Sequence, residues 1–240
     1  MKLIKVKGIV IREVAYKDND KIITILTDTL GKVSAIAKGA KKTNSQFLAS
    51  SQYLVYSEFI LYQNTGYYYL NSTSVINTFY NLRIDFDKLQ IVFNMTKLLN
   101  SVTDENQDCE KILKLFLNTI YVLDKYNKNS KLVVNAFKIK LFTYLGFAPR
   151  EDKCSSCLKS LLNNDDEYVY YDYISNTFLC EECKNTVESK RRIQISKATY
   201  NAIMFVIRSD LKKIFSFELK DYMDFETFGQ VFADSMLSGL

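Results

Sequence analysis

Residues 20–38 read DKIITILTDTLGKVSAIAK, and this stretch decides the fold. Lys21 to Thr27 and Lys32 to Lys38 are two short strand-like runs, and the turn segment Asp28-Thr29-Leu30-Gly31 between them makes a hairpin. Upstream, Ile4-Lys5-Val6-Lys7 alternates apolar and basic residues, as a strand with one wet face does. Downstream, Gln52 to Gln63 and Tyr67 to Val75 flank a second turn signal, Asn64-Thr65-Gly66. Five short antiparallel strands in succession predict a small closed barrel, for which the five-stranded OB-fold is the natural candidate.

The texture changes after Leu82. Ile112, Leu113, Phe116, Leu117, Ile120 and Leu123 recur at helical spacing, and Asp87 to Val102 and Lys131 to Leu145 read the same way. The last of these stops at Gly146, with Pro149 shortly beyond. After a loop-rich cysteine segment, Ser196 can cap a helix carrying Tyr200, Ile203, Met204 and Ile207, and the chain is again apolar at helical intervals as far as Met236. The expected class is α+β: an N-terminal five-stranded OB-fold β-barrel followed by an α-helical domain with an inserted four-cysteine zinc site. The expected division is 1–80 for a nucleic-acid-binding barrel, 81–149 for a helical bundle, 150–190 for the zinc segment and 191–240 for C-terminal helices packing on the bundle. No internal repeat or low-complexity linker interrupts it.

Composition excludes much chemistry. The 240 residues contain no His, which removes Ser-His-Asp triads, Cys-His pairs and His-ligated catalytic metals. The seven glycines form neither a G-x-G-x-x-G nor a G-x-x-x-x-G-K-[ST] motif, so the usual phosphate-cradling signatures are missing. A non-enzymatic protein is expected. No apolar run approaches the roughly 18 residues of a bilayer span, and Lys5, Lys7 and Arg12 interrupt what would be the heart of a secretory signal. The expected location is the cytoplasm, with no membrane partner.

Five cysteines in a reducing compartment are thiols or metal ligands. Cys154-Ser155-Ser156-Cys157 and Cys180-Glu181-Glu182-Cys183 each present two sulfurs from one turn, together the tetrahedral sulfur set that zinc prefers. The 22 intervening residues exceed the usual spacing of roughly 15 to 20, and a hairpin through Tyr168 to Phe178 would accommodate them. With four protein ligands no position remains for water, so one Zn2+ there is structural. The competing readings are unligated thiols or a redox couple, although redox motifs normally come singly on a thioredoxin-like pattern. Cys109 reads as an ordinary buried or half-buried residue.

Charge is segregated. Residues 1–42 hold ten basic side chains (Lys2, Lys5, Lys7, Arg12, Lys17, Lys21, Lys32, Lys38, Lys41, Lys42) against four acidic ones (Glu13, Asp18, Asp20, Asp28), a balance of +6. The whole chain carries +5, so the remaining residues sum to −1. A positive face on a small barrel suits the phosphate backbone of a single strand, the alternative being a merely soluble Lys-rich surface. Lys38-Gly39-Ala40-Lys41-Lys42 is the densest cluster, and Gly39 allows a turn that presents its lysines together. Only Arg12 of the ten can fork onto a guanine edge, which favours backbone binding without sequence choice. Tyr53, Tyr56, Tyr62, Tyr67, Tyr68 and Tyr69 crowd one region, where surface aromatics stack bases and buried ones fill cores.

These residues resemble the RecO family of bacterial DNA repair and recombination proteins. The resemblance rests on Gly8-Ile9-Val10-Ile11, Asp20-Lys21 through Leu26-Thr27, Gly31 through Lys42, and Leu145-Gly146-Phe147-Ala148-Pro149 shortly before Cys154-Ser155-Ser156-Cys157, in matching order over nearly the whole chain. It implies a mediator of homologous recombination that binds single- and double-stranded DNA and anneals complementary strands. It further implies work with RecR to load RecA onto strands coated by single-strand-binding protein, so RecA is an indirect partner, and a cytoplasmic, nucleoid-associated location. By position, the family's basic surface falls on Lys5, Lys7, Arg12, Lys32, Lys38, Lys41 and Lys42, and its zinc site on Cys154, Cys157, Cys180 and Cys183. Where many relatives carry arginine after Gly39, this chain has lysine. The alternative functions are an RNA- or protein-binding zinc and OB module in transcription or translation, and a thiol oxidoreductase.

Overall fold

The computed structural model describes residues 2–149 and 152–239; the expected start of the cysteine segment, at residue 150, lies outside the described residues. Five strands close a barrel in the order β1-β2-β3-β5-β4. They are β1 (Leu3–Tyr16), β2 (Asp20–Thr27), β3 (Lys32–Ala37), β4 (Tyr56–Asn64) and β5 (Tyr67–Asn77). Closure depends on β1, whose first half pairs with β4, from Leu3↔Tyr62 to Ile9↔Tyr56, and whose second half pairs with β2 as far as Tyr16↔Asp20. Gly8 belongs to both ladders, and a Cβ there would lie 2.5 Å from Ile25 Cγ2 and 2.8 Å from the Leu26 carbonyl oxygen. No side chain fits where the strand changes partners. A bulge between Val10 and Arg12 adds the bend.

Period-two alternation sends Val6, Val10, Ile23, Ile25, Val33, Ala35, Phe59, Leu61 and Leu70 into the barrel core. Two details depart from the sequence reading. The β3–β5 pair is parallel (Ala35↔Tyr68, Ile36↔Tyr69), not antiparallel, as OB topology requires when the fifth strand returns beside the third. Strand β4 begins at Tyr56 rather than Gln52, because Leu54 has a left-handed φ of 63° that breaks the extended backbone. The preceding loop is not idle: Phe47 joins the barrel core.

The chain forms two compact units, Met1–Tyr126 and Asn127–Leu240, a different division from the four segments expected. Helices α1 (Tyr80–Ile84), α2 (Phe86–Val102) and α3 (Glu110–Lys125) belong to the barrel's unit. The Tyr53 hydroxyl and Thr96 Oγ1 lie 2.8 Å apart, and the Lys32 amide donates to the Asp104 carbonyl at 3.0 Å.

The second unit contains α4 (Ser130–Tyr144), β6 (Tyr168–Asp172), β7 (Thr177–Leu179), β8 (Arg192–Ser196), α5 (Lys197–Arg208) and α6 (Met223–Leu237). Helix α4 falls here because it buries Val133, Ala136, Phe137, Ile139, Leu141 and Phe142, too wide an apolar surface for one partner. It packs on α5 and α6, and a Cβ at Gly229 of α6 would meet Asn135 Oδ1 at 2.4 Å. The three short strands form a sheet ordered β7-β6-β8, with β8 unforeseen from the sequence. Tyr171, Phe178, Tyr200, Phe228 and Phe232 are fully buried aromatics of this unit. Among the described residues, no helix is long and apolar enough to cross a membrane.

Candidate nucleic-acid interface and metal centre

Strand β3 runs out at Ala37, and Gly39 turns the chain with a φ of +68°. The turn is pinned to the β1–β2 connection: the Gly39 amide donates to Asp20 Oδ1 at 2.7 Å and the Lys41 amide to the Asn19 carbonyl at 2.9 Å. Ala40 is fully buried in the barrel core, whereas Lys38, Lys41 and Lys42 on either side of it are exposed. A buried alanine thus anchors the loop and forces its lysines outward. Lys17, counted among the basic side chains of residues 1–42 but not among the site candidates, is exposed in the β1–β2 turn, its Nζ 5.2 Å from the centroid of the Tyr16 ring.

The other four candidates stand elsewhere on the barrel. Lys5 and Lys7 lie on the half of β1 that pairs with β4; Lys5 makes an ion pair with Glu58 at 2.8 Å. Arg12 is exposed at the bulge. Lys32 opens β3, about 20 Å of strand away from Lys38, and its Nζ donates to the Asn100 carbonyl at 2.6 Å, in the last turn of α2. Its cation satisfies a helix C-terminus, where positive charge is favoured.

The crowded tyrosines also separate. Tyr53 is tied to Thr96 and Tyr68 packs against the barrel core. Tyr62 and Tyr69, opposite each other on β4 and β5, stack with ring centroids 5.3 Å apart and planes 16° from parallel. The Lys38 Nζ lies over the Tyr69 ring, 5.0 Å from its centroid.

In the second unit the four expected cysteines converge, with their sulfurs all within 4.8 Å of one another and Cys157 Sγ 3.7 Å from Cys180 Sγ. Four sulfurs at the usual zinc distance of about 2.3 Å around a tetrahedral ion would be roughly 3.8 Å apart, so the donor set fits such an ion. Local structure explains the convergence. The Leu158 amide donates to the Cys154 carbonyl at 2.9 Å, closing the first turn, and the Ser155 amide donates to the Phe178 carbonyl at 2.9 Å, tying that turn to β7. Strand β7 delivers Cys180 immediately after Leu179. Burial pushes the Cys154 thiol up, but the backbone amides of Cys157, Cys180 and Ser156 outweigh it and bring it down to about 7. Burial instead raises the Cys180 thiol. Burial raises the Cys183 thiol as well, so Cys154 is the ligand most readily ionised. Cys109 is buried, and desolvation with the charges of Asp108 and Asp104 pushes its thiol up to about 11, so it is unreactive at neutral pH.

Comparison with known proteins agrees over both units. The family profile described as Recombination protein O N terminal matches residues 1–79, and Recombination protein O C terminal matches residues 83–223. The chain is 35% identical over 221 residues to the DNA repair protein RecO of Acetivibrio thermocellus, covering 92% of this chain and 86% of that one. It is 33% identical over 214 residues to the protein of the same name from Caldicellulosiruptor saccharolyticus, covering 89% and 84%, and 29% identical over 228 residues to that of Clostridium perfringens, covering 95% and 89%.

Proposed function

The chain belongs to the recombination protein O family of DNA repair proteins, and on that premise we propose that it is a non-catalytic recombination mediator. It binds single- and double-stranded DNA, anneals complementary strands, and acts with RecR to load RecA onto strands coated by single-strand-binding protein, in the cytoplasm at the nucleoid. The observation that carries this reading is the exposed Lys38, Lys41 and Lys42 turn at one end of the OB barrel.

A cluster of flexible ammonium groups grips phosphates as point charges and releases their counterions. Annealing needs that kind of contact, because the bases must stay available for pairing while the repulsion between two backbones is neutralised. Cys154, Cys157, Cys180 and Cys183 hold one zinc ion. Its role is structural: it cross-links the Cys154–Cys157 turn to the end of β7 and leaves no coordination position for substrate.

Strand annealing, measured with and without a single-strand-binding protein coat, tests the proposal. The wild-type chain should anneal both, with a log-log salt slope of roughly −3 to −4 for four to six phosphates on a single strand. Replacing Lys38, Lys41 and Lys42 together with Glu should abolish annealing. Unchanged binding and annealing in that variant would move the site elsewhere. Competition between DNA and RNA of one sequence separates this reading from an RNA-binding role.

A further inference from the structure

The outer face of the barrel carries an apolar lane that the lysine cluster does not explain. Ile22 on β2 pairs with Ile36 on β3, Ile36 with Tyr69 on β5, Tyr69 with Tyr62 on β4, and Tyr62 with Leu3 on β1. One residue per strand therefore crosses all five strands. The lane points outward, since Ile23, Ala35, Ala37, Leu61 and Leu70, adjacent in sequence to its members, are the ones turned into the core. Leu3 is exposed and the other four are half-buried.

Its centre is the stacked Tyr62–Tyr69 pair. Unlike Tyr53, Tyr170, Tyr171 and Tyr173, whose hydroxyls are hydrogen-bonded, neither tyrosine has a hydrogen-bond partner for its hydroxyl among the described residues. These rings are outside the core, and their polar ends hold nothing in place. Two residues beyond Ile36 and Leu3, on the same side of the lane, stand Lys38, just past the end of β3, and Lys5 on β1. A line of flat rings bordered by ammonium groups matches the chemistry of a nucleotide, a flat base joined to a phosphate.

We propose that Tyr62 and Tyr69 form a stacking platform for unpaired bases of a single DNA strand. The ammonium of Lys38, which now lies over the Tyr69 ring, moves to the phosphate of the base that takes its place. Lys5, paired with Glu58, borders the same lane and is the weaker of the two contacts. This inference rests on the reading of the barrel as a single-strand surface. It adds a contact that senses bases to one that senses only charge.

The test compares an oligo-dT strand with an all-abasic strand of equal length and equal phosphate count, both titrated against the full chain. Stacking gives the thymine strand an advantage of roughly five- to a hundred-fold per stacked base. In the Tyr62→Leu, Tyr69→Leu double variant the advantage should vanish while affinity for the abasic strand persists. A misfolded protein would lose both, and Phe at the two positions should restore the advantage because the rings return. Equal wild-type binding of the two strands would overturn the platform and leave the charged surface intact, as would an advantage surviving in the Leu variant. Failure of the wild-type chain to bind either strand would overturn the single-strand reading itself, and the platform with it.

Discussion

Lys32 Nζ lies 2.6 Å from the carbonyl oxygen of Asn100, so one of the barrel's lysines serves as a helix cap. Lys32→Met should therefore weaken DNA binding less than two-fold, yet lower stability by about 1 kcal/mol through loss of a charge-assisted hydrogen bond. The Lys38, Lys41 and Lys42 turn should behave in the opposite way, losing affinity without loss of melting temperature. Thermal denaturation beside a DNA titration checks both, and a large affinity loss in Lys32→Met would contradict the assignment.

Gly8 sits where β1 leaves one partner strand for the other. Gly8→Ala places a methyl 2.5 Å from Ile25 Cγ2 and 2.8 Å from a backbone oxygen. Because one of those neighbours is main chain, repacking cannot absorb it, and the cost should be about 2–3 kcal/mol. Denaturant unfolding of the variant measures it; a loss below about 0.5 kcal/mol would mean that the seam is looser than the geometry indicates.

The five thiols should divide by condition. With metal bound, four are ligated and Cys109 is buried, so a thiol reagent should find almost none reactive in the native protein. Chelation followed by denaturation should expose all five, with one zinc released per chain. Protonation competes with the metal for thiolates, so zinc should leave as pH falls and rebind as it rises. Four reactive thiols in the untreated native protein would show that no ion is held.

Metal and core should be coupled in the second unit. The Phe178 carbonyl accepts the Ser155 amide beside the first cysteine turn, while its ring stacks on Phe228 at 6.0 Å and meets Tyr200 edge-on at 5.1 Å. Phe228→Ala should cost about 3–5 kcal/mol and shift zinc release to lower chelator concentration. Release unchanged from wild type would show that the metal loops stand independently of the aromatic core.

Local patterns carried most of the fold into the sequence. Alternation in DKIITILT and KVSAIA placed β2 and β3, the C-x-x-C pairs pointed to the cluster that their four sulfurs form, and Ser196 capped α5 as its position implied, accepting the Thr199 amide. What stayed hidden was non-local. Strand β8 is only RIQIS and exists because β6 offers it an edge some 20 residues earlier in the chain. The assignment of α4 to the second unit depends on surfaces contributed by α5 and α6. Lys32 looked equivalent to Lys38 because charge can be read from sequence, whereas the carbonyl that engages it lies 68 residues away.

The double pairing of β1 also has a kinetic side. Its contacts with β2 begin only four residues apart, at Tyr16↔Asp20, whereas the seam with β4 joins Leu3 to Tyr62 across 59 residues. Loop closure over that distance is costly before any pairing rewards it, so the β1-β2-β3 meander should form first and the seam close late. Ile23→Val should then slow folding, and Phe59→Leu should mainly hasten unfolding. Stopped-flow rates for the two variants give the order directly, and the reverse pattern would place the seam in the nucleus. A late seam means that the nascent chain exposes the unpaired edge of β1 until β4 has been synthesised.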